Sequence, residues 1–294
     1  MRFSTPTITN VHPDFPVLSG IEKAIYRQAK GEKALREKFP ALLKDAIDFV
    51  LDPVRTARTA IKDLDNVEKT FIGLKVEHVL RDFLDVPKGL RDLEIDGIDV
   101  DIKNTVGTTW MIPPETYRNE EPCLLIAIAD GEKQCWLGLM LARNEYLGSG
   151  GNRDGKRSVV TKGLNSILWL VEGVPLPLSR WDGIDMAKFR ELRKLKGGSK
   201  RAAAFFRDNL WMPVHRSIIQ SLLFDQNDYM KRVRGNGGAR DILRKEAIAL
   251  LSWTYHKELF RLFGLADSTK DDFIAIKGRT PKEIVLLREK GVID

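Results

Sequence analysis

Cysteine is nearly absent: Cys123 and Cys135 are the only two in 294 residues. Both fall in apolar, strand-like runs, and a turn around Gly131 would not set them opposite each other. Free buried thiols in a reducing cytoplasm are therefore expected rather than a disulfide. No run of about 18 apolar residues occurs, which leaves nothing to span a membrane. The opening MRFSTPTITNVHPDFPVL lacks the basic-then-apolar layout of a secretory leader. The chain has four histidines. His78 has no second ligand at metal spacing, so it reads as a surface or boundary residue. There is no internal repeat and no low-complexity tract. The glycine-rich stretch GSGGNRDGKR, residues 148–157, lacks the Gly-Lys-Ser/Thr ending of a Walker A loop. It reads either as a surface loop or as a phosphate-contacting loop carrying Arg153, Lys156 and Arg157.

What the chain does have is length, charge and pattern. At 294 residues, with 43% hydrophobic and 30% charged content, it has room for two globular domains with real cores. Its net charge of +7 is unevenly spread. Residues 188–246 hold 15 Lys/Arg against 6 Asp/Glu, a surplus of nine, so the remainder sums to −2. A basic block on an otherwise near-neutral protein suggests a polyanionic partner, nucleic acid first.

The most informative stretch is LRDLEIDGIDVDIKN, residues 90–104. Asp96-Gly97 between two alternating segments is a strong signal for a two-residue hairpin turn. With that turn, Ile95 faces Ile98, Glu94 faces Asp99, Leu93 faces Val100, and Asp92 lies opposite Asp101. Side chains alternate faces along a strand. Leu93, Ile95, Ile98, Val100 and Ile102 then share an apolar face, whereas Asp92, Glu94, Asp99, Asp101 and Lys103 share the other. Opposed carboxylates repel. A cation between them would turn that repulsion into a site, and an oxygen-only donor set suits Mg²⁺. A metal held by two acids beside a lysine ammonium can stabilise charge developing on a phosphoryl group under attack by water.

Elsewhere, residues 21–34 and 40–51 have helical spacing, and Pro53 closes the second segment. Residues 67–84 read as a helix that could point Glu77 at the acidic hairpin. Trp110 to Glu115 is a rigid, proline-bearing connection. Residues 123–129 and 134–142 read as two buried strands joined at Asp130-Gly131, giving a sheet of at least four strands flanked by helices. Residues 164–171 resume an apolar, helical pattern. The proline-rich PLPLSRWDG, 175–183, is the candidate domain boundary, and Gly197-Gly198-Ser199 marks a further break. Residues 213–224 have helical spacing. Asp228 caps a short helix over DYMKRVR, a turn follows at 235–238, and a helix is predicted over 239–251. Helix, glycine turn and second helix, with Lys231, Arg232, Arg234, Asn236, Arg240 and Arg244 around the turn, is the layout of a helix-turn-helix DNA reader.

Several stretches together are familiar in order. They are Glu68-Lys69-Thr70 through Gly73 to Val76-Glu77; Glu94-Ile95, Gly97, Val100-Asp101 and Lys103; Trp110-Met111 and Pro113-Pro114-Glu115; Asn152-Arg153-Asp154 with Lys156-Arg157; and MKRVRGNGGARDILR, residues 230–244. Across roughly residues 55–250 the chain resembles the NaeI family of restriction endonucleases. The resemblance implies a PD-(D/E)XK endonuclease domain over 1–174, an α+β sheet flanked by helices. It further implies a mainly helical, winged-helix DNA-binding domain over 175–294, built like that of the catabolite activator protein. The family's catalytic acids fall on Glu77, Asp92 and Asp101, and its lysine on Lys103; the acids would hold Mg²⁺. Family members bind two copies of a GC-rich palindrome, one cut in the nuclease domain and one activating from the C-terminal domain. Asp96 and Asp99 are additional acids at positions where the family does not require them, so Asp99 competes as a ligand. The expected activity is that of a cytoplasmic, homodimeric, site-specific double-strand DNA endonuclease. A DNA-binding regulator without catalysis and a structure-selective repair nuclease are the alternatives.

Overall fold

The computed structural model describes residues 3, 5–266 and 268–294, which divide into two compact units. One runs up to Leu51 and then from Ala60 to Leu178; the other consists of Asp52–Thr59 and Ser179–Asp294. The passage into the second unit after Leu178 lies in the proline-rich stretch. The membership of 52–59 has no counterpart in the sequence pattern.

In the first unit, helices α1 (Phe15–Gln28) and α2 (Glu32–Leu51) start earlier than their apolar spacing suggests. Pro40, expected to begin a helix, lies buried inside α2. A proline there forfeits one ladder bond, and burial of its ring helps offset that loss. After the short α3 (Pro53–Thr56) of the second unit comes α4 (Asn66–Leu84). A reciprocal capping box starts α4: Glu68 N donates to Asp65 Oδ1 at 2.8 Å, and Asp65 N donates to Glu68 Oε2 at 2.9 Å. Ile72, Val76, Leu80 and Leu84 form its buried face.

Five strands form the main sheet: β1 (Leu93–Ile95), β2 (Ile98–Thr105), β4 (Pro122–Ala129), β5 (Gln134–Leu141) and β8 (Leu168–Pro175), in the order β1-β2-β4-β5-β8. The β2–β4 pair is parallel and the other pairs are antiparallel, so the sheet is mixed. A smaller sheet has the order β3-β7-β6, from β3 (Met111–Ile112), β6 (Leu147–Gly151) and β7 (Arg157–Val159). Between these strands lie the one-turn helices α5 (Pro114–Tyr117) and α6 (Thr161–Leu164). Both faces of the central strands are covered, which is why they read as continuous apolar runs. Leu124, Ile126 and Ile128 share a core with α1, α2 and α4, whereas Cys123, Leu125 and Ala127 pack with Trp110, Ile112 and Trp136. Both cysteines are free and buried; Cys123 pairs with Met140 and Cys135 with Ile128 across the sheet.

The same burial explains a correction. Residues 164–171 are not a helix: α6 ends at Leu164, and β8 begins at Leu168 beside β5. Leu168, Trp169, Leu170 and Val171 are all buried. A short run without polar alternation carries no period that separates helix from strand.

The second unit continues with α7 (Met186–Lys194), α8 (Gly198–Asp208), β9 (Val214–His215) and α9 (Arg216–Leu222). A 3₁₀ turn follows over Tyr229–Arg232, with Asp228 Oδ1 accepting from Lys231 N at 3.1 Å. Then come α10 (Ala239–Arg244), β10 (Ile248–Ser252), α11 (Trp253–Leu262), β11 (Asp272–Lys277) and α12 (Pro281–Glu289). The predicted helix over 239–251 is thus a six-residue helix followed by a buried strand. Ala247, at φ +57°, breaks the two apart. The three strands form an antiparallel sheet, β10-β11-β9. No helix among the described residues is long and apolar enough to cross a membrane.

Candidate active site

Asp96 (φ +50°) and Gly97 (φ +77°) both adopt left-handed backbone, as a type I′ turn requires. The pairing that follows is Ile95 with Ile98, Glu94 with Asp99 and Leu93 with Val100. One step further along lies Asp92, whose Oδ2 accepts the Ile102 N–H at 2.7 Å. Val100 and Ile102 pack into the core shared with the helices, so strand alternation turns Asp101 and Lys103 to the other face. Asp101 is 3% exposed there.

Lys103 Nζ is paired with Asp101 Oδ1 and also donates to the Ile102 carbonyl at 3.1 Å. The hydroxyl of Thr116 donates to Asp101 Oδ2. Burial raises the Asp101 carboxyl above its ordinary range; Lys103 and Thr116 oppose that rise, and hydrogen bonding with Asp92 adds to it. Glu77, on α4, is pushed up to about 7, first by burial and then by the charge of Asp92, with Lys103 pulling the other way and Asp101 adding to the rise. The structure thus brings Glu77, Asp92, Asp101 and Lys103 into one electrostatic neighbourhood.

A close approach between elements explains how Glu77 gets there. Gly73 on α4 faces the side chain of Asn104 on β2, where a Cβ would lie 2.5 Å from Asn104 Nδ2. Four residues on, about one helical turn, Glu77 stands where the charges of Asp92, Lys103 and Asp101 act on it.

Asp99, read from sequence as a competing ligand, is engaged elsewhere. Its two oxygens accept the Arg91 N–H at 3.0 and 3.1 Å. The Arg91 guanidinium in turn donates to Glu121 Oε2 at 2.8 Å and to the Glu115 carbonyl at 2.8 Å. Asp96 pairs with Arg27 at 2.6 Å. Sequence reasoning missed Arg91 and Thr116. Arg91 is adjacent to Asp92, and Thr116 follows Pro113-Pro114-Glu115, but neither has a spacing that marks its role. Among the described residues no three His, Cys, Asp or Glu side chains form a ready-made metal cluster.

The basic residues named from sequence lie in both units. In the first, the tip between β6 and β7 is ordered by Asn152, whose Oδ1 accepts from Asp154 N at 3.0 Å and Lys156 N at 2.9 Å. Arg153 is exposed, Lys156 is half-buried, and the Arg157 guanidinium sits 4.7 Å from the Tyr117 ring centre. In the second unit, Lys231, Arg232, Arg234 and Asn236 are exposed. Arg232 Nε donates to Gln226 Oε1 at 2.7 Å. Arg234 and Arg240 line a cavity of about 710 Å³ together with Arg216, Lys270 and Tyr255. Arg240 is held by the Leu250 carbonyl at 3.1 Å, and burial lowers its pKa. Arg244 is paired with Asp294 at 2.6 Å.

A mixed sheet flanked by helices, with two aspartates and a lysine meeting beside a tight turn, is consistent with a nuclease-like α+β domain. The sequence profile of the family described as restriction endonuclease NaeI matches residues 27–283. The chain is also 33% identical, over 226 residues, to the type II restriction enzyme NaeI of Lentzea aerocolonigenes, an alignment covering 73% of this chain and 69% of that protein. The chain belongs to the NaeI restriction endonuclease family.

Proposed function

We propose that this protein is a Mg²⁺-dependent, site-specific double-strand DNA endonuclease with a PD-(D/E)XK site in its first unit. The observation that carries this reading is the meeting of Asp92, Asp101 and Lys103 beside the β1–β2 turn in a member of this family. The donor set fits the ion. Asp92 and Asp101 are oxygen donors within hydrogen-bonding reach of each other, and Glu77, raised to about 7 first by burial and then by the charge of Asp92, stands close enough to join them. The lack of a preformed three-residue cluster among the described residues is compatible with Mg²⁺, which commonly takes one or two carboxylates and completes its shell with water and substrate phosphate. When bound, the ion polarises the scissile phosphate and lowers the pKa of attacking water.

The chain's own residues do the rest. Asp92 and Asp101 would hold the ion, and Glu77 would serve as a further ligand or accept a proton from the attacking water. Lys103, anchored by Asp101 and the Ile102 carbonyl, offers its ammonium to the charge growing on phosphate oxygen. The second unit reads as a winged-helix DNA-binding domain. The order α8, β9, α9, α10, β10, β11, with β11 between β9 and β10 in the sheet, supports this reading, α11 being an insertion between the last two strands. Lys231, Arg232, Arg234, Asn236, Arg240 and Arg244 would contact DNA there, and Arg153, Lys156 and Arg157 would do so in the first unit. A homodimer acting on a GC-rich palindrome in the cytoplasm, with a second DNA copy on the C-terminal domain, completes the proposal.

A plasmid-cleavage assay with Mg²⁺ tests it. Wild-type protein should give discrete fragments, whose ends define the recognised sequence. Asp101→Ala should slow cutting at least ~10³-fold, a loss of several kcal/mol of transition-state stabilisation, while DNA affinity is retained. Failure of wild type to cut any GC-rich duplex would favour a binding regulator. Cutting confined to mismatches or nicks would favour a repair nuclease.

A further inference from the structure

We infer that Thr116 is a positioning residue for Asp101, carried on a short helix that Tyr117 ties to the basic β6–β7 hairpin. The inference rests on the endonuclease reading of the Asp92–Asp101–Lys103 site and adds a residue to it.

Thr116 is fully buried. A threonine in a helix ordinarily satisfies its hydroxyl on a carbonyl three or four residues back. The Thr116 hydroxyl instead crosses to β2 and donates to Asp101 Oδ2, while Lys103 donates to Oδ1. One donor on each oxygen fixes the plane of the carboxylate. With Lys103 alone, the group would be free to turn about its Cβ–Cγ bond, because a flexible lysine can follow it.

The helix that carries Thr116 is only four residues long, so its position depends on what surrounds it. Tyr117 Oη donates to the Gly155 carbonyl at 3.2 Å, and the Arg157 guanidinium lies over the Tyr117 ring at 4.7 Å. Gly155, at φ +72°, sits so close that a Cβ there would be 3.0 Å from Pro114 Cγ. On another side Arg91 Nη2 donates to the Glu115 carbonyl at 2.8 Å, and Glu121 N donates to the Thr116 carbonyl at 3.1 Å. The hairpin bearing Arg153 and Lys156 therefore bears on the orientation of the Asp101 carboxylate through its contacts with Pro114 and Tyr117, the Tyr117 hydroxyl among them, and then through the Thr116 hydroxyl. A DNA strand engaging that hairpin would act on the same helix that sets Asp101.

Thr116→Val keeps the shape and removes the donor; Thr116→Ser keeps the donor. In the full-length protein with Mg²⁺ and cognate plasmid, Thr116→Val should lower kcat ~10–100-fold, the scale of an ångström-level misplacement. KM and DNA affinity without metal should stay near wild type. Tm should fall by roughly a few degrees because a buried carboxylate oxygen loses its donor, and Thr116→Ser should match wild-type Tm and cut within about twofold of wild type. Tyr117→Phe should lower kcat by a smaller factor and add nothing in the Thr116→Val background. A crystal structure of Thr116→Val should show the Asp101 carboxylate rotated from its wild-type plane. Wild-type kcat in Thr116→Val, an equally impaired Thr116→Ser, or an unmoved carboxylate would overturn the inference. Additive losses for Thr116→Val and Tyr117→Phe would overturn the tie to the hairpin. If wild type cuts no duplex at all, the endonuclease reading fails separately, and the carboxylate plane in the two crystal structures still decides the role of Thr116.

Discussion

Glu77 is the residue whose chemistry depends most on its neighbours. Its carboxyl sits near 7 because burial and Asp92 both disfavour the anion. An unfolded glutamate titrates near 4.3, so between these values the folded chain keeps a proton that the unfolded chain has released. The stabilising contribution is therefore full at low pH and is lost as pH rises toward 7, by on the order of 1–3 kcal/mol. In metal-free buffer, denaturant midpoints of wild type relative to Glu77→Gln should fall between pH 5 and 8. Added Mg²⁺ should flatten that difference, since a nearby cation favours the carboxylate. Parallel pH profiles for the two proteins would show that the Glu77 carboxyl is not raised in the folded chain. The sequence reveals Asp92, Asp101 and Lys103 because a two-residue turn fixes strand parity arithmetically. It is silent on Thr116 and Arg91, whose partners Asp101 and Glu121 are reached only once β4 and α5 have packed.

At the scale of elements, the approach of α4 to β2 decides whether Glu77 reaches the site. Glycine inside a helix costs about 1 kcal/mol relative to alanine, so Gly73 is kept for space rather than propensity. Gly73→Ala would place its Cβ 2.5 Å from Asn104 Nδ2, and overpacking of this kind costs about 1–3 kcal/mol. Urea titrations should show Gly73→Ala destabilising the wild-type background by about 1 kcal/mol, with the loss removed or reversed in Asn104→Ala. An equal cost in both backgrounds would mean that Asn104 is not what the methyl group meets. Helix α4 was legible from its amphipathic stripe alone; the capping box that starts it at Asp65 and Glu68 is seen only in the structure. Strands β8 and β10 were not, since all their residues from 168 to 171 and from 248 to 252 are buried and a uniformly apolar segment has no period to read. Their identity comes from pairing with β5 and β11, which no local window contains.

At the scale of the whole molecule, the basic block lies within the second unit and the acidic hairpin within the first. The sequence showed this charge asymmetry plainly. It did not show that 52–59 belongs with the second unit, which depends on bonds such as Ser221 Oγ to the Pro53 carbonyl at 2.6 Å and Arg193 Nη1 to the Val54 carbonyl at 3.2 Å. If the second unit holds its own copy of DNA, its arginines and the acids of the first unit should be separable by experiment. Removing one cationic side chain from a phosphate lowers the slope of log affinity against log salt by about 0.9. Arg232→Ala with Arg234→Ala should therefore flatten that slope by roughly 1.8. A short duplex bearing the recognised sequence should speed cutting of a single-site plasmid by the wild-type protein. In the double variant that stimulation should disappear while slow basal cutting persists. Asp101→Ala should do the converse, losing all cutting while keeping the salt slope. A double variant that retains both the slope and the stimulation would remove this surface from DNA binding and leave the second-copy proposal without a place on the molecule.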